Sequence, residues 1–162
     1  MDVSHYIDSL NSPEATQRRH AAEQLSLDPD AAAAVSLVRA CGDSDEQVRE
    51  WAVAALEQMG APDGADAVAL AELLAAGQRD VRYWSATLLG RLGEQAGPAV
   101  EPLIRAVDAD RDAAVRQRAA WALGRMGRVA APAQESLTRA ASGGDVRLAR
   151  LAKEALQNLG GP

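Results

Sequence analysis

The chain has 162 residues, 48% of them apolar and 25% charged, with a formal net charge of −6. That length fits a single domain with a real core, and that balance argues against a disordered or membrane-embedded chain. The acidic total also argues against a general nucleic-acid surface, which needs clustered Lys and Arg to displace counterions from phosphates.

The opening "MDVSHYIDSL" lacks the basic start and apolar run of a signal peptide, and no stretch of 18 apolar residues occurs. A cytoplasmic protein is therefore expected. A first helix is predicted over residues 2–10, and "QRRHAAEQLSLD" after it reads as a second, with Gln17 and Gln24 where a core prefers apolar groups. Next comes "AAAAVSLVRAC", ending in Cys41, the single cysteine, which excludes an internal disulfide and is expected to pack as a small apolar residue. From there the chain alternates between two kinds of string. "VREWAVAALEQMG", "VRYWSATLLGRLG", "VRQRAAWALGRMG" and "LARLAKEALQNLG" are separated by the shorter apolar stretches "ADAVALAELLAA", "PAVEPLIRAV" and "PAQESLTRAA".

The closing glycines Gly60, Gly93, Gly127 and Gly160 fall 33, 34 and 33 residues apart, the spacing of a repeat protein. Counting the first residue of each string as zero, positions 0, 4, 7, 8 and 11 are apolar, one face of an α-helix: Val48, Ala52, Ala55, Leu56 and Met59, for example. Starting the last string at Val146 instead would drive Arg150 and Lys153 into the core, so the glycine-anchored register is preferred. Each closing Gly suits the left-handed residue after a helix, and Pro62, Pro98 and Pro132 soon afterwards end one helix and favour the first turn of the next. Asp43, Asp45, Asp110, Asp112 and Asp145 fall in the polar turns and offer N-caps. The unit is helix, turn, helix, repeated five times to give ten helices in one domain over 1–162.

"DEQVREWAVAALEQMG", "RDVRYWSATLLGRLG" and "DAAVRQRAAWALGRMG" resemble HEAT repeats, and most closely the short subtype found in phycobiliprotein lyases. The resemblance implies an all-α solenoid winding as a right-handed superhelix, with the second helix of each pair lining a concave groove. It also implies that Arg49, Arg82 and Arg116 pair with turn aspartates in a ladder between repeats, which Ala149 interrupts at the last repeat.

At 100° per residue, positions 3, 6 and 10 leave the core on one side, at about 85°, 145° and 105° from its centre. All three tryptophans fall there: Trp51 and Trp84 at position 3, Trp121 at position 6. Arg91, Arg118 and Arg125 share the ridge, His20 holds position 3 of the first repeat, and Tyr83 sits beside it. Trp and Arg offer large contact area with a polar or charged handle, the composition of binding hot spots. The bland alternative is that the indoles seal seams between helices and the arginines are solvated.

The sequence completes no catalytic or metal signature. "DADRD" from Asp108 begins like a calcium loop but has Ala113 and Ala119 where Gly and Glu are required. No phosphate loop or nucleophile elbow occurs, His5 and His20 lack carboxylates at ligand spacing, and Asp43 with Asp45 lie in turns expected to be exposed. Neither a metal nor a cofactor is expected. The leading expectation is a non-enzymatic scaffold that holds a segment of a partner protein, the arginines reading acidic groups. A bilin- or tetrapyrrole-binding lyase subunit is the alternative that the resemblance suggests, and weak nucleic-acid binding ranks last.

Overall fold

The computed structural model describes residues 3–160. The expected helix start at position 2 lies outside them. Among the described residues there are ten α-helices and no strand. In chain order they are α1 (Val3–Ser9), α2 (Ala15–Leu27), α3 (Ala34–Ala40), α4 (Glu46–Gln58), α5 (Ala67–Leu73), α6 (Arg79–Leu92), α7 (Val100–Ala109), α8 (Ala113–Arg125), α9 (Gln134–Ala141) and α10 (Val146–Leu159). Consecutive helices form five pairs, the organisation of an α-solenoid. Short 3₁₀ segments lead into four of the first helices: Ala31–Ala33, Gly64–Asp66, Gly93–Ala99 and Gly127–Ala133. Pro98 and Pro132 lie inside two of these segments, where a missing N–H costs least.

The chain divides into two compact units, Met1–Asp66 and Ala67–Pro162. In the first, α1 packs on α2, and α2 and α3 pack on α4. Leu25, Leu37, Val38, Val48 and Leu56 are fully buried there. In the second, α6 packs on α8 and α8 on α10, with α5, α7 and α9 each against the second helix of its own pair. Leu70, Leu88, Leu89, Leu103, Leu123, Met126 and Leu137 fill that core. Positions 0, 4, 7 and 8 of α4, α6 and α8 are all buried, because one apolar stripe per helix meets its neighbours. The glycine-anchored register of α10 also holds: Leu148 is 8% exposed while Val146 is 84% exposed.

Of the four closing glycines only Gly93 and Gly127 take positive φ, at 60° and 59°. These are the two glycines that open a seven-residue 3₁₀ segment. Gly60 follows an extended Met59, and Gly160 has φ −98°, so neither needs glycine for its backbone.

The arginine ladder is also narrower than the resemblance implies. Arg82 grips Asp110 with both Nε and Nη2, at 2.7 and 3.1 Å. Arg18, two repeats earlier in the same register, grips Asp43 in the same way, at 2.8 and 3.0 Å. Arg49 and Arg116 instead donate to the carbonyls of their own turns, Asp43 and Ser44 for one and Asp110 for the other. The gripped aspartates stand two residues before the N-caps Asp45 and Asp112; the corresponding positions before α6 and α10 are Ala76 and Gly143, which carry no carboxylate. Own-turn carbonyls are bonded in every case, since Arg18 also caps Ser12 and Pro13, and Arg82 caps Ala76 and Gly77.

Asp43 and Asp45 are not exposed, as the sequence suggested, but largely covered, their side chains 12% and 14% accessible under Arg18 and Arg19. Asp45, Asp112 and Asp145 cap α4, α8 and α10 by accepting amide hydrogen bonds from Val48, from Ala114 and Val115, and from Leu148. Hydrogen bonding to Arg19 holds Asp45 at about 2, against its partial burial, and the Val48 amide assists. The Leu148 amide and Gln117 lower Asp145. Both folded-state values lie below that of an unfolded Asp, about 3.9, so their stabilisation is complete above that value and is lost as pH falls toward the folded one. The melting temperature by circular dichroism is expected to stay flat from about pH 7 to 5 and to fall between about pH 4 and 2. Asp45→Asn starts lower and falls less steeply. A decline beginning above pH 5 would mean that other groups control acid stability.

Candidate functional site

The second helices of the Ala67–Pro162 unit carry side chains four residues apart on the same flank. Arg79 and Tyr83 project from α6, Ala114 and Arg118 from α8, and Arg147 and Leu151 from α10, each pair one helical turn along its own helix. With Gln117 and Trp121 they line a cleft of about 230 Å³.

Trp121 owes its place to a glycine. A Cβ at Gly90 would lie 2.2 Å from Cζ3 of the indole, so the ring rests directly on the α6 backbone. Glycine in a helix interior costs about 1 kcal/mol relative to Ala, and here it admits a large aromatic surface.

Arg118 lies between two rings. Its guanidinium carbon is 4.8 Å from the Tyr83 ring centre and 5.0 Å from that of Trp121, and Nη2 donates to the Tyr83 hydroxyl. Of its five N–H donors that is the one with a protein acceptor among the described residues, and no carboxylate pairs with it. The neighbouring charges are arranged differently. Arg79 pairs with Asp80 at 2.8 Å and Asp112 at 3.2 Å, and lies 5.9 Å from the Tyr83 ring. Gln117 donates to both oxygens of Asp145, at 3.0 and 3.2 Å. Arg147 is exposed and joins no ion pair among the described residues. Among the described residues no acidic side chain lines the cleft.

The expected site residues therefore separate. Tyr83, Arg118 and Trp121 come together. Trp84 turns inward and is only 8% exposed, edge-on to Tyr83 with ring centres 5.7 Å apart. Its ring serves packing first, so the adjacent Tyr and Trp divide the work: Trp84 faces the core and half-exposed Tyr83 the cleft. Arg91 lies over Trp84 at 5.8 Å; burial lowers its pKa, as does the positive charge of Arg118. Arg125 is exposed in the last turn of α8, outside the cleft lining. In the other unit, Trp51 is half-buried on α4, and exposed His20 on α2 meets Tyr6 edge-on at 6.1 Å.

Arg79, Gln117 and Arg147 were missing from the expected set, whereas Leu151 holds position 3 of the last string and so lies on the expected ridge. Arg79 stands four residues before Tyr83, Gln117 one before Arg118 and Arg147 four before Leu151, so the ridge extends one turn further toward the start of each helix than expected. A larger hollow of about 510 Å³ opens between α5 and α7. Val68, Ala71 and Ala106 line it, its charged groups Glu72, Arg105 and Asp110 are of mixed sign, and it offers no comparable cluster. Among the described residues no group of His, Cys, Asp and Glu could hold a metal ion, and no helix is long and apolar enough to cross a membrane.

A family model described as HEAT repeats matches residues 3–71 and 67–157. No curated protein matches the chain. Among solved structures, an engineered protein shares 21% identity over 98% of this chain and 80% of that one, with a TM-score of 0.69. A designed armadillo repeat protein in complex with the peptide (KR)4 shares 17% over 98% and 82%, with a TM-score of 0.68. The complex of CpcE and CpcF of phycocyanin lyase from Nostoc sp. PCC7120 shares 22% over 99% of this chain and 65% of that chain, with a TM-score of 0.65. At these identities the likeness is one of fold.

Proposed function

Because the chain belongs to the HEAT-repeat family, we propose that it is a non-enzymatic scaffold that holds a segment of a partner protein, gripping an acidic group of that segment in the α6, α8 and α10 cleft. The observation that carries this reading is Arg118, held over two aromatic rings and engaged by no carboxylate among the described residues. A guanidinium so placed has its orientation set before binding, so little side-chain freedom is lost when an acid arrives. Tyr83 and Trp121 supply contact area, and Arg118 supplies selection by charge. Arg91 and Trp84 support them from behind, while Arg125, Trp51 and His20 are assigned to the binding face by register alone. The proposal takes residues 1–162 as one repeat domain.

The designed armadillo protein was solved with a basic peptide, whereas the cleft here is itself basic and calls for a ligand of the opposite charge. A tetrapyrrole is the weaker candidate, since about 230 Å³ falls below the roughly 300–1,000 Å³ of pockets that enclose a drug-sized ligand. Peptides selected from a random display library on the immobilised protein are expected to carry Asp or Glu beside apolar residues. Their binding is expected to fall about tenfold or more in Arg118→Ala and in Trp121→Ala. Selection of basic sequences, or acidic ones indifferent to both substitutions, would refute the reading. Adding bilin and finding a shifted absorbance band would favour the tetrapyrrole instead.

A further inference from the structure

We infer that the anion this cleft is built for is a doubly charged phosphoryl group, carried on a side chain of the partner segment, in preference to a single carboxylate. The inference rests on the partner-segment reading and specifies its ligand chemistry. Three guanidinium groups border the same small volume, each from a different helix: Arg79, Arg118 and Arg147. Arg79 is already matched by Asp80 and Asp112. Arg118 and Arg147 join no ion pair among the described residues, which leaves two positive charges to be met by whatever enters.

One carboxylate compensates one of these charges. A phosphoryl group carries about −1.5 to −2 at neutral pH, with three oxygens that can accept from both arginines together. Charge-assisted hydrogen bonds from two guanidinium groups to one dianion are the recurring means by which arginine clusters read phosphorylated side chains. The surroundings match this use. Tyr83 and Trp121 wall the cleft with aromatic surface, Leu151 closes its α10 side, and a small phosphorylated group fits the available volume better than an extended ligand. The carboxylates bonded to cleft-lining residues are held in place already: Asp145 by Gln117 and its own helix, Asp112 by Arg79 and its own helix, and Asp80 by Arg79.

The test compares two ligands with the same ring and different charge. Phenyl phosphate and benzoate are titrated into the full chain and followed by amide-resolved NMR, with inorganic phosphate as a third probe. Phenyl phosphate is expected to bind about tenfold more tightly than benzoate, shifting amides of α8 and α10 around Arg118 and Arg147. Arg147→Ala is expected to bring phenyl phosphate down to the benzoate level, and Arg118→Ala to weaken both. Arg147 is exposed, so its variant reports on binding even if Arg118→Ala does not fold. Equal affinity for the two ligands, or a preference that survives Arg147→Ala, overturns the assignment. If display still selects Arg118-dependent acidic peptides in that case, the partner-segment reading stands without the phosphoryl preference. If phenyl phosphate binds as expected and no segment is ever selected, the anion site stands and the scaffold reading falls.

Discussion

Replacing Arg82 by Ala is expected to lower the unfolding free energy by about 3–5 kcal/mol, the largest effect of any single polar substitution in this chain. Both partners of the Arg82 and Asp110 pair are 6% exposed. Removing the cation leaves a buried carboxylate with no counter-charge and withdraws the donor that bonds the Ala76 and Gly77 carbonyls. The loss comes mainly from the stranded Asp110, and this separates it from a surface pair such as Arg150 with Glu154, which contributes about 0.2–1 kcal/mol. Urea unfolding of Arg82→Ala, Asp110→Ala and the double variant Arg82→Met with Asp110→Leu checks the argument. The double variant is expected to recover most of the loss, since well-packed apolar groups replace a buried pair at little cost. An Arg82→Ala protein within about 1 kcal/mol of the parent would show that water reaches Asp110 and that the pair is a surface one in energy.

Gly124→Ala is the second large effect, expected to destabilise by about 1–3 kcal/mol although Ala is the better helix former. A Cβ at Gly124 would meet Cα of Ala155 at 2.9 Å and its Cβ at 3.0 Å. The obstacle is the backbone of α10, so the only relief is to part α8 from α10 along the seam that holds the last pair. The contrast with Gly90→Ala makes this specific. There the obstacle is the outer ring of half-exposed Trp121, which can swing toward solvent. Gly90→Ala is therefore expected to cost less in stability and to reveal itself as altered tryptophan fluorescence and a disrupted cleft. A Gly124→Ala variant more stable than the parent in urea would show that the two helices have slack at this crossing.

The fold was legible because period and register are properties of neighbouring residues. Gly60, Gly93, Gly127 and Gly160 fix the phase, and that phase correctly buries Val48, Ser85, Ala119 and Ala152 while leaving Val146 in solvent. What the period could not show was how much of each helix is covered. Trp84 lies off the centre of its apolar face, yet α6 is packed so broadly that Arg82, Trp84, Ala86 and Thr87 are buried as well. Neighbours far away in sequence decide that coverage, and Trp84 is inside for that reason. The cleft was half legible. Tyr83 and Arg118 are 35 residues apart and meet because one repeat separates them, whereas the part played by Arg79 and Arg147 depended on choosing which turn of the helix faces the opening. Arginines at one register position behaved differently because their partners sit in the following repeat: Asp110 awaits Arg82, but Ala76 and Gly143 hold the equivalent places ahead of Arg49 and Arg116.

Arg18, Arg49, Arg82 and Arg116 each satisfy carbonyls five or six residues upstream, in the loop that opens their own helix. Each of the first four hairpins thus carries its own clasp, which deleting or duplicating a whole 33- or 34-residue module would leave intact; Ala149 holds the place in the fifth. The pairs that reach into the following module, Arg18 with Asp43 and Arg82 with Asp110, would be broken by such an edit at their own seams, so array length can drift only where no carboxylate is gripped; the grip on a ligand, which needs three successive modules in the right order, is tied to that order.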